Sequence, residues 1–500
     1  MPTIDGRPNI LFIQSDQHSP FVTGCYGDNV VSTPNLDALA ARGVIFDNAY
    51  CASPICVPSR MSLLTGRMPH ENGVWTNSHI LDSSIPTFAH SLGAIGYRPV
   101  QIGRMHFNGP DQLHGFAERR VGDHGPNFIG GTPADHGSLE GTAGPSRISL
   151  EKSGFGQSAY EVHDESVTEA AVEFLESHAA ALASGETEEP FCAAIGLMLP
   201  HQPFVAREAD YNAYLGLVPP PDHPEPLTDQ THPYLQWWRR NTGIEEVSEA
   251  EVMRARTAYW ALVSSLDRML GQIFDVLEKH NLLEDTLIIY TTDHGEQVGE
   301  HGLWWKQTFY EEAARVPMIV SWPSTLPRGR RCDRVVSQID LNATLLELVD
   351  APALPGSSGR AMTGIINDQG AAGWDDKVFV EYCTEPGDPA HSDGDRAFQN
   401  RMVRQGSWKL SYYHGFPPQL FNLENDPHEM SDLAANPEHE TKRDELLALV
   451  LEDWDPDTIR EQIEALTAEG AVLKQWAQSV QPDDTHRWNL NPDDDHVDGG

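Results

Sequence analysis

Residues 9–13 read NILFI and stop abruptly at Gln14-Ser15-Asp16-Gln17-His18; residues 286–292 read TLIIYTT and stop as abruptly at Asp293-His294-Gly295. Runs this short and this continuously apolar are expected of strands covered on both faces, as in a parallel sheet between helices. Helix signals interleave with them. Thr33 caps and Pro34 opens one helix, with Gly43 behind it; residues 159–182 form a second; Ser248 and Glu251 make a capping box before a pattern running to about 280. Further strands are expected at 191–199 and 317–322, while the Gly-rich stretch 122–156 and the Pro-rich stretch 219–233 read as irregular.

This alternation predicts an α/β fold. A chain of 500 residues exceeds what one core supports. The expectation is a large N-terminal domain, 1–370, with a mostly parallel mixed central sheet flanked by helices. A smaller C-terminal α+β domain, 371–500, follows with a short antiparallel sheet. The border falls in the Gly-rich segment 356–373. Beyond it, strands are expected at 378–382, 401–404 and 408–413, and helices at 441–453 and 457–478. The acidic tail, 482–500, reads as loose or packed on a neighbour. No internal repeat is present.

Lysine and arginine number 34 against 74 acidic residues, a formal charge of -40. That excludes nucleic acid and anionic membrane surfaces as partners, since both need clustered basic side chains. Any anion site must be locally basic or metal-bearing. No basic segment followed by an apolar one marks a secretory leader, so a cytoplasmic location is expected. The six cysteines show no CxxC spacing and read as reduced.

One cysteine stands in a distinctive string, Cys56-Val57-Pro58-Ser59-Arg60, continuing to Leu64-Thr65-Gly66-Arg67. Pro58 suits a first helical turn, which puts Cys56 at a helix N-terminus, where free N–H groups favour an anion and lower a thiol's pKa. Arg60, one turn on, offers a charge-assisted hydrogen bond. Asp16 and Asp293 end separate buried strands, so their carboxylates can converge on one hard divalent cation.

C-x-P-S-R followed by L-T-G-R resembles the signature of type I sulfatases, in the alkaline-phosphatase-like superfamily. The resemblance extends from about residue 8 to 432. It includes PNILFIQSDQ, TPNLDALAARG, GRMHFNGPDQLHGF (103–116), PHQPF (200–204), DHGEQVGEHGLWWK (293–306) and LFNLENDPHE (420–429). It implies that Cys56 is oxidised by a formylglycine-generating enzyme to 3-oxoalanine (formylglycine), whose hydrate is the nucleophile. It further implies one divalent ion, Ca²⁺, Mn²⁺ or Mg²⁺, held by Asp16, Gln17, Asp293, His294 and the modified Cys56. Gln17 and His294 replace the Asp and Asn of many sulfatases and resemble the choline sulfatase and phosphonate monoester hydrolase branches.

The remaining polar set implied by the resemblance is Asn77, Arg104, His106, His201 and Lys306. Arg104, Asn77 and Lys306 would bind the sulfate oxygens. Arg60 and the metal would acidify the hydrate, whose hydroxyl attacks sulfur. His201 or Lys306 would protonate the leaving alkoxide, and His106 would take the proton that lets the aldehyde re-form. Trp237, Trp238, Trp304, Trp305 and Glu381 are available to hold a quaternary ammonium, but the portion after about 453 does not resemble the tail of choline sulfatases. The function read here is hydrolysis of sulfate monoesters of a small alcohol or phenol. A phosphonate monoester or phosphodiester hydrolase with the same nucleophile is the second reading, and a catalytically inactive binding relative the third. A homo-oligomer, dimer or tetramer, would suit the resemblance.

Overall fold

The computed structural model describes residues 6–367, 373–387 and 396–500. In chain order the strands are β1 (Asn9–Asp16), β2 (Val44–Tyr50), β3 (Pro99–Gly103), β4 (Glu118–Arg120) and β5 (Gly154–Gln157). Next come β6 (Cys192–Pro200), β7 (Val205–Ala206), β8 (Thr286–Thr292), β9 (Met318–Ser321) and β10 (Arg330–Ser337). The last are β11 (Lys377–Cys383), β12 (Gln399–Gln405), β13 (Trp408–Tyr413), β14 (Gln419–Asn422) and β15 (His496–Gly499).

Eight strands form the main sheet in the order β10-β2-β9-β8-β1-β6-β3-β4. All pairs are parallel except those made by β9, which runs against both β2 and β8. Every residue of β1, β6 and β8 is buried, as their apolar runs require of central strands. Helices Pro34–Ala41, Ala159–Ser184 and Glu249–Lys279 pack together as one group, and Cys56–Thr65, Phe88–Ala94 and Gln338–Leu348 as another. The Ser248–Glu251 capping box is present, with Ser248 Oγ accepting from Glu251 N. Thr33 does not cap by its side chain; its hydroxyl donates to Asp37 instead.

The second sheet, β11-β12-β13-β14, is antiparallel. Alternation along it divides two cores. Val378, Val380, Met402 and Tyr413 join the main hydrophobic core, while Val403, Leu410 and Leu420 pack under Leu446 and Val450 of helix Glu440–Val450. The small unit therefore closes one of its faces with the large one. The expected 370/371 border lies outside the described residues.

The tail departs from expectation. Residues 481–500 are neither loose nor left for a neighbour: β15 pairs with β5, which pairs in turn with β7, on the large domain. Stretch 122–156 is irregular over most of its length but supplies helix Ile148–Glu151 and β5. All six cysteines are free. No described helix is long and apolar enough to cross a membrane.

Candidate active site

Four neighbouring strands, β8, β1, β6 and β3, each release a polar residue at the same carboxyl edge. These are Asp293 and His294 after β8, Asp16 and Gln17 at the end of β1, His201 after β6, and Arg104 and His106 after β3. The register Ser15↔Thr292 sets Asp16 beside Asp293, in the crevice where open α/β sheets take their ligands. Cys56 is the first residue of helix Cys56–Thr65, entered from an extended Ile55. Its Sγ lies 3.8 Å from Asp16 Oδ1, 3.3 Å from His294 Nε2 and 3.2 Å from Lys306 Nζ.

Basic groups surround this anion-ready point. Arg60 Nη2 reaches Asp16 Oδ2 and Arg60 Nε reaches Asp293 Oδ2, both at 3.0 Å and wholly buried. Arg104 Nε donates to the same Asp16 Oδ2 at 2.7 Å. Burial alone would raise the Asp16 carboxyl, but Arg104, His201, Arg60 and Lys306 outweigh it and hold it well below the usual carboxylate range. Burial, reinforced by Lys306, lowers His201 far below its ordinary value. A neutral His201 fits its contacts: Nδ1 donates to the Gln202 carbonyl at 2.6 Å, and Nε2 accepts from Lys306 Nζ at 2.9 Å. Lys306 Nζ also donates to Gln17 Oε1 at 2.7 Å.

The donor set fits a divalent metal. One ligand atom from each of Asp16, Cys56, Asp293 and His294, all buried, lies within 4.8 Å of the others. Two carboxylates with an imidazole suit Mn²⁺ or Mg²⁺ as well as Ca²⁺. Gln17 adjoins this group at φ 62, a left-handed conformation held by Asp293 Oδ1 on its N–H and the Tyr259 hydroxyl on its carbonyl. Its amide nitrogen donates to Gln202 and Glu296.

Several expectations meet a different arrangement. The Cys56 thiol is not acidified by its helix end: burial, then Asp16, pushes it up to about 11. Asn77 Oδ1 accepts from Val57 N at 3.0 Å and so satisfies one of the free N–H groups at the start of the Cys56 helix. His106 bonds Arg104 Nη2 through Nδ1 at 2.9 Å, and burial with Arg104 pushes it down to about 3. Trp238, Trp304 and Trp305 are core packing residues, and Glu381 is engaged by His70 and Arg401; no ammonium cage forms from them.

Two buried acids complete the site without having been singled out in the sequence. Asp123 accepts from Arg104 Nη1 and from the backbone N–H of His106; it lies in the Gly-rich stretch, which has no pattern to mark it. Glu296 stands inside the quoted string 293–306, and its contact with Gln17 is visible only in three dimensions.

Buried acids, a thiol and an imidazole gathered at the carboxyl edge of a mostly parallel sheet mark a hydrolytic site of the alkaline-phosphatase-like class. The sulfatase family profile matches residues 8–351, and a profile for the C-terminal part of N-sulphoglucosamine sulphohydrolase matches 299–453. The choline-sulfatase of Rhizobium meliloti (strain 1021) is 33% identical, over 86% of this chain and 83% of that protein. The N-acetylglucosamine-6-O-sulfatase of Bacteroides thetaiotaomicron is 24% identical, over 90% and 88%. The crystal structure of the phosphonate monoester hydrolase of Agrobacterium radiobacter shares the fold, with TM-score 0.70, 22% identity and 91% and 96% of the two chains covered. The chain belongs to the sulfatase family, the sulfuric ester hydrolases of that class.

Proposed function

We propose that the enzyme hydrolyses sulfate monoesters of a small alcohol or phenol at the sulfur–oxygen bond, with residue 56 as formylglycine and one divalent metal. The observation that carries this reading is the convergence of Asp16, Cys56, Asp293 and His294 on one buried point ringed by Arg60, Arg104 and Lys306. Formylglycine supplies a hydrated aldehyde as nucleophile. A divalent ion supplies Lewis-acid polarisation of the ester oxygens.

The chain's own groups divide the rest of the work. Arg60 aligns the two carboxylates and cancels part of their charge. Arg104, held by Asp16 and Asp123, presents a fixed positive edge to the developing oxygen charge. Lys306 Nζ holds the proton offered to the departing alkoxide. Neutral His201 accepts from Lys306 through Nε2, which fixes the ammonium in place beside residue 56. Burial of all these groups keeps bulk water from screening them.

The test is a mass spectrum of the tryptic peptide ending at Arg60, paired with turnover of p-nitrophenyl sulfate and p-nitrophenyl phenylphosphonate. An aldehyde at position 56 and a higher kcat/KM for the sulfate are expected. A thiol in protein that nonetheless turns over sulfate would sink the nucleophile assignment, and a preference for the phosphonate would sink the substrate assignment.

A further inference from the structure

Beside His201 lie three rings with no part in the roles above. Ring centroids of Tyr160 and His201 are 5.8 Å apart; Tyr160 is 4.9 Å from His124 and 5.9 Å from His136. The Tyr160 hydroxyl is 3.4 Å from His124 Nε2, and His124 Nδ1 is buried without a hydrogen-bond partner. Burial is the main cause that pushes the Tyr160 phenol up, with Arg104, Asp16 and Cys56 all close enough to act on it. It is therefore a protonated donor at the edge of the anion site. An aromatic wall with a phenol donor is a surface for the organic half of an ester rather than for its sulfate.

All three rings are held by the far end of the chain. The Asp495 carboxylate is buried at 2% exposure. Its Oδ1 accepts from the N–H of Ala159, the residue before Tyr160, at 2.6 Å, and its Oδ2 lies 2.8 Å from His136 Nδ1. Arg487 Nε donates to the His124 carbonyl at 2.9 Å, and Trp488 N to the Asp123 carbonyl at 2.9 Å. Space for this tail is reserved by glycine. A Cβ on Gly122 would strike the carbonyl oxygen of His486, and one on Gly156 that of His496. These are backbone atoms that cannot swing aside, so the contact is built rather than incidental.

We propose that residues 481–500 are a working part of the active site of their own chain. Asp495 is a positioning residue that sets Tyr160 and His136, and Tyr160 with His124 contacts the alcohol half of the substrate. This deepens the sulfate-ester reading and rests on it.

The test uses full-length, aldehyde-bearing, metal-loaded enzyme with p-nitrophenyl sulfate, comparing wild type with Tyr160→Ala, Asp495→Ala and Asp495→Asn. Thermal unfolding is recorded alongside. Tyr160→Ala and Asp495→Ala should each raise KM about tenfold, a loss of ground-state binding, with kcat changed less. Asp495→Asn, which keeps an oxygen for the Ala159 N–H, should recover most of that loss. Two results would overturn the proposal: KM within about twofold of wild type in both alanine variants, or a lowered Tm in Asp495→Ala as its sole effect. Wild-type protein that carries the aldehyde and metal yet turns over no sulfate ester would instead strike the proposed activity. Calorimetric binding of p-nitrophenyl sulfate then decides the tail's role: affinity lost in Asp495→Ala supports it, and unchanged affinity overturns it.

Discussion

Asp16 and Asp293, side by side on parallel strands, share one guanidinium: Arg60 stands 3.0 Å from an oxygen of each, with no solvent at any of the three side chains. Arg60→Met strips Asp293 of its guanidinium and leaves Asp16 with Arg104 alone, a loss of about 3–5 kcal/mol by analogy with other broken buried pairs. Denaturant unfolding in EDTA should show it. Saturating Mn²⁺ should return part of the stability, because a ligand bound at about a hundred times its Kd contributes about 2.7 kcal/mol. Equal stability of variant and wild type in EDTA would contradict the argument.

Cys56→Ala should remove turnover by about 10³-fold or more, the scale seen when a covalent nucleophile is deleted. The fold should survive, since the side chain becomes smaller and the helix cap is supplied by Asn77. Steady-state assay with far-UV circular dichroism checks both halves.

Asn77→Ala separates capping from substrate binding. Loss of the bond to Val57 N should cost about 1 kcal/mol of stability and leave KM for p-nitrophenyl sulfate near wild type. A large rise in KM at unchanged stability would return Asn77 to the sulfate-binding set.

The small sheet is tied to the large domain through Lys409, whose Nζ is 2.8 Å from both Glu311 Oε1 and Glu429 Oε1. Burial acts to raise Glu311, but Lys409, Arg404 and Arg315 outweigh it and bring its pKa from 4.5 to about 2. A carboxylate depressed by folding stabilises fully above its unfolded value and loses that contribution as pH falls through its folded one. Burial pushes Glu429 the other way, from 4.5 to about 7, so its contribution is present below 4.5 and fades as pH rises through 7. Lys409→Met should therefore cost about 3–5 kcal/mol at neutral pH. Its deficit relative to wild type should narrow as Glu311 becomes protonated, between pH 4.5 and about 2, Glu429 having taken up its proton nearer 7. A gap that stays constant over that range would show that the ion pair is not what Lys409 contributes.

Much of the polar cluster was legible because its members follow strand ends directly. A buried run that breaks at Asp16-Gln17 or Asp293-His294 carries its own address, and the Cys56 string announces a helix start. Residues that act across long loops leave no such trace: Asp123 meets Arg104 through the turn after β4, and Asp495 meets Ala159 across 336 residues. Acidic composition hid the tail, since a string of aspartates reads as solvated surface until one is found buried against a backbone N–H. Strand β10, with charged residues at half its positions, lacked the apolar run that marked β1 and β8.

Cys56 is 2% exposed, roofed by Lys306 and His294 and backed by Asp16. A second enzyme cannot reach a thiol enclosed in this way. If residue 56 is to become an aldehyde, maturation has to win a race against folding. Chains that fold first would be trapped as intact but permanently silent protein, so specific activity in any preparation would report how that race was run.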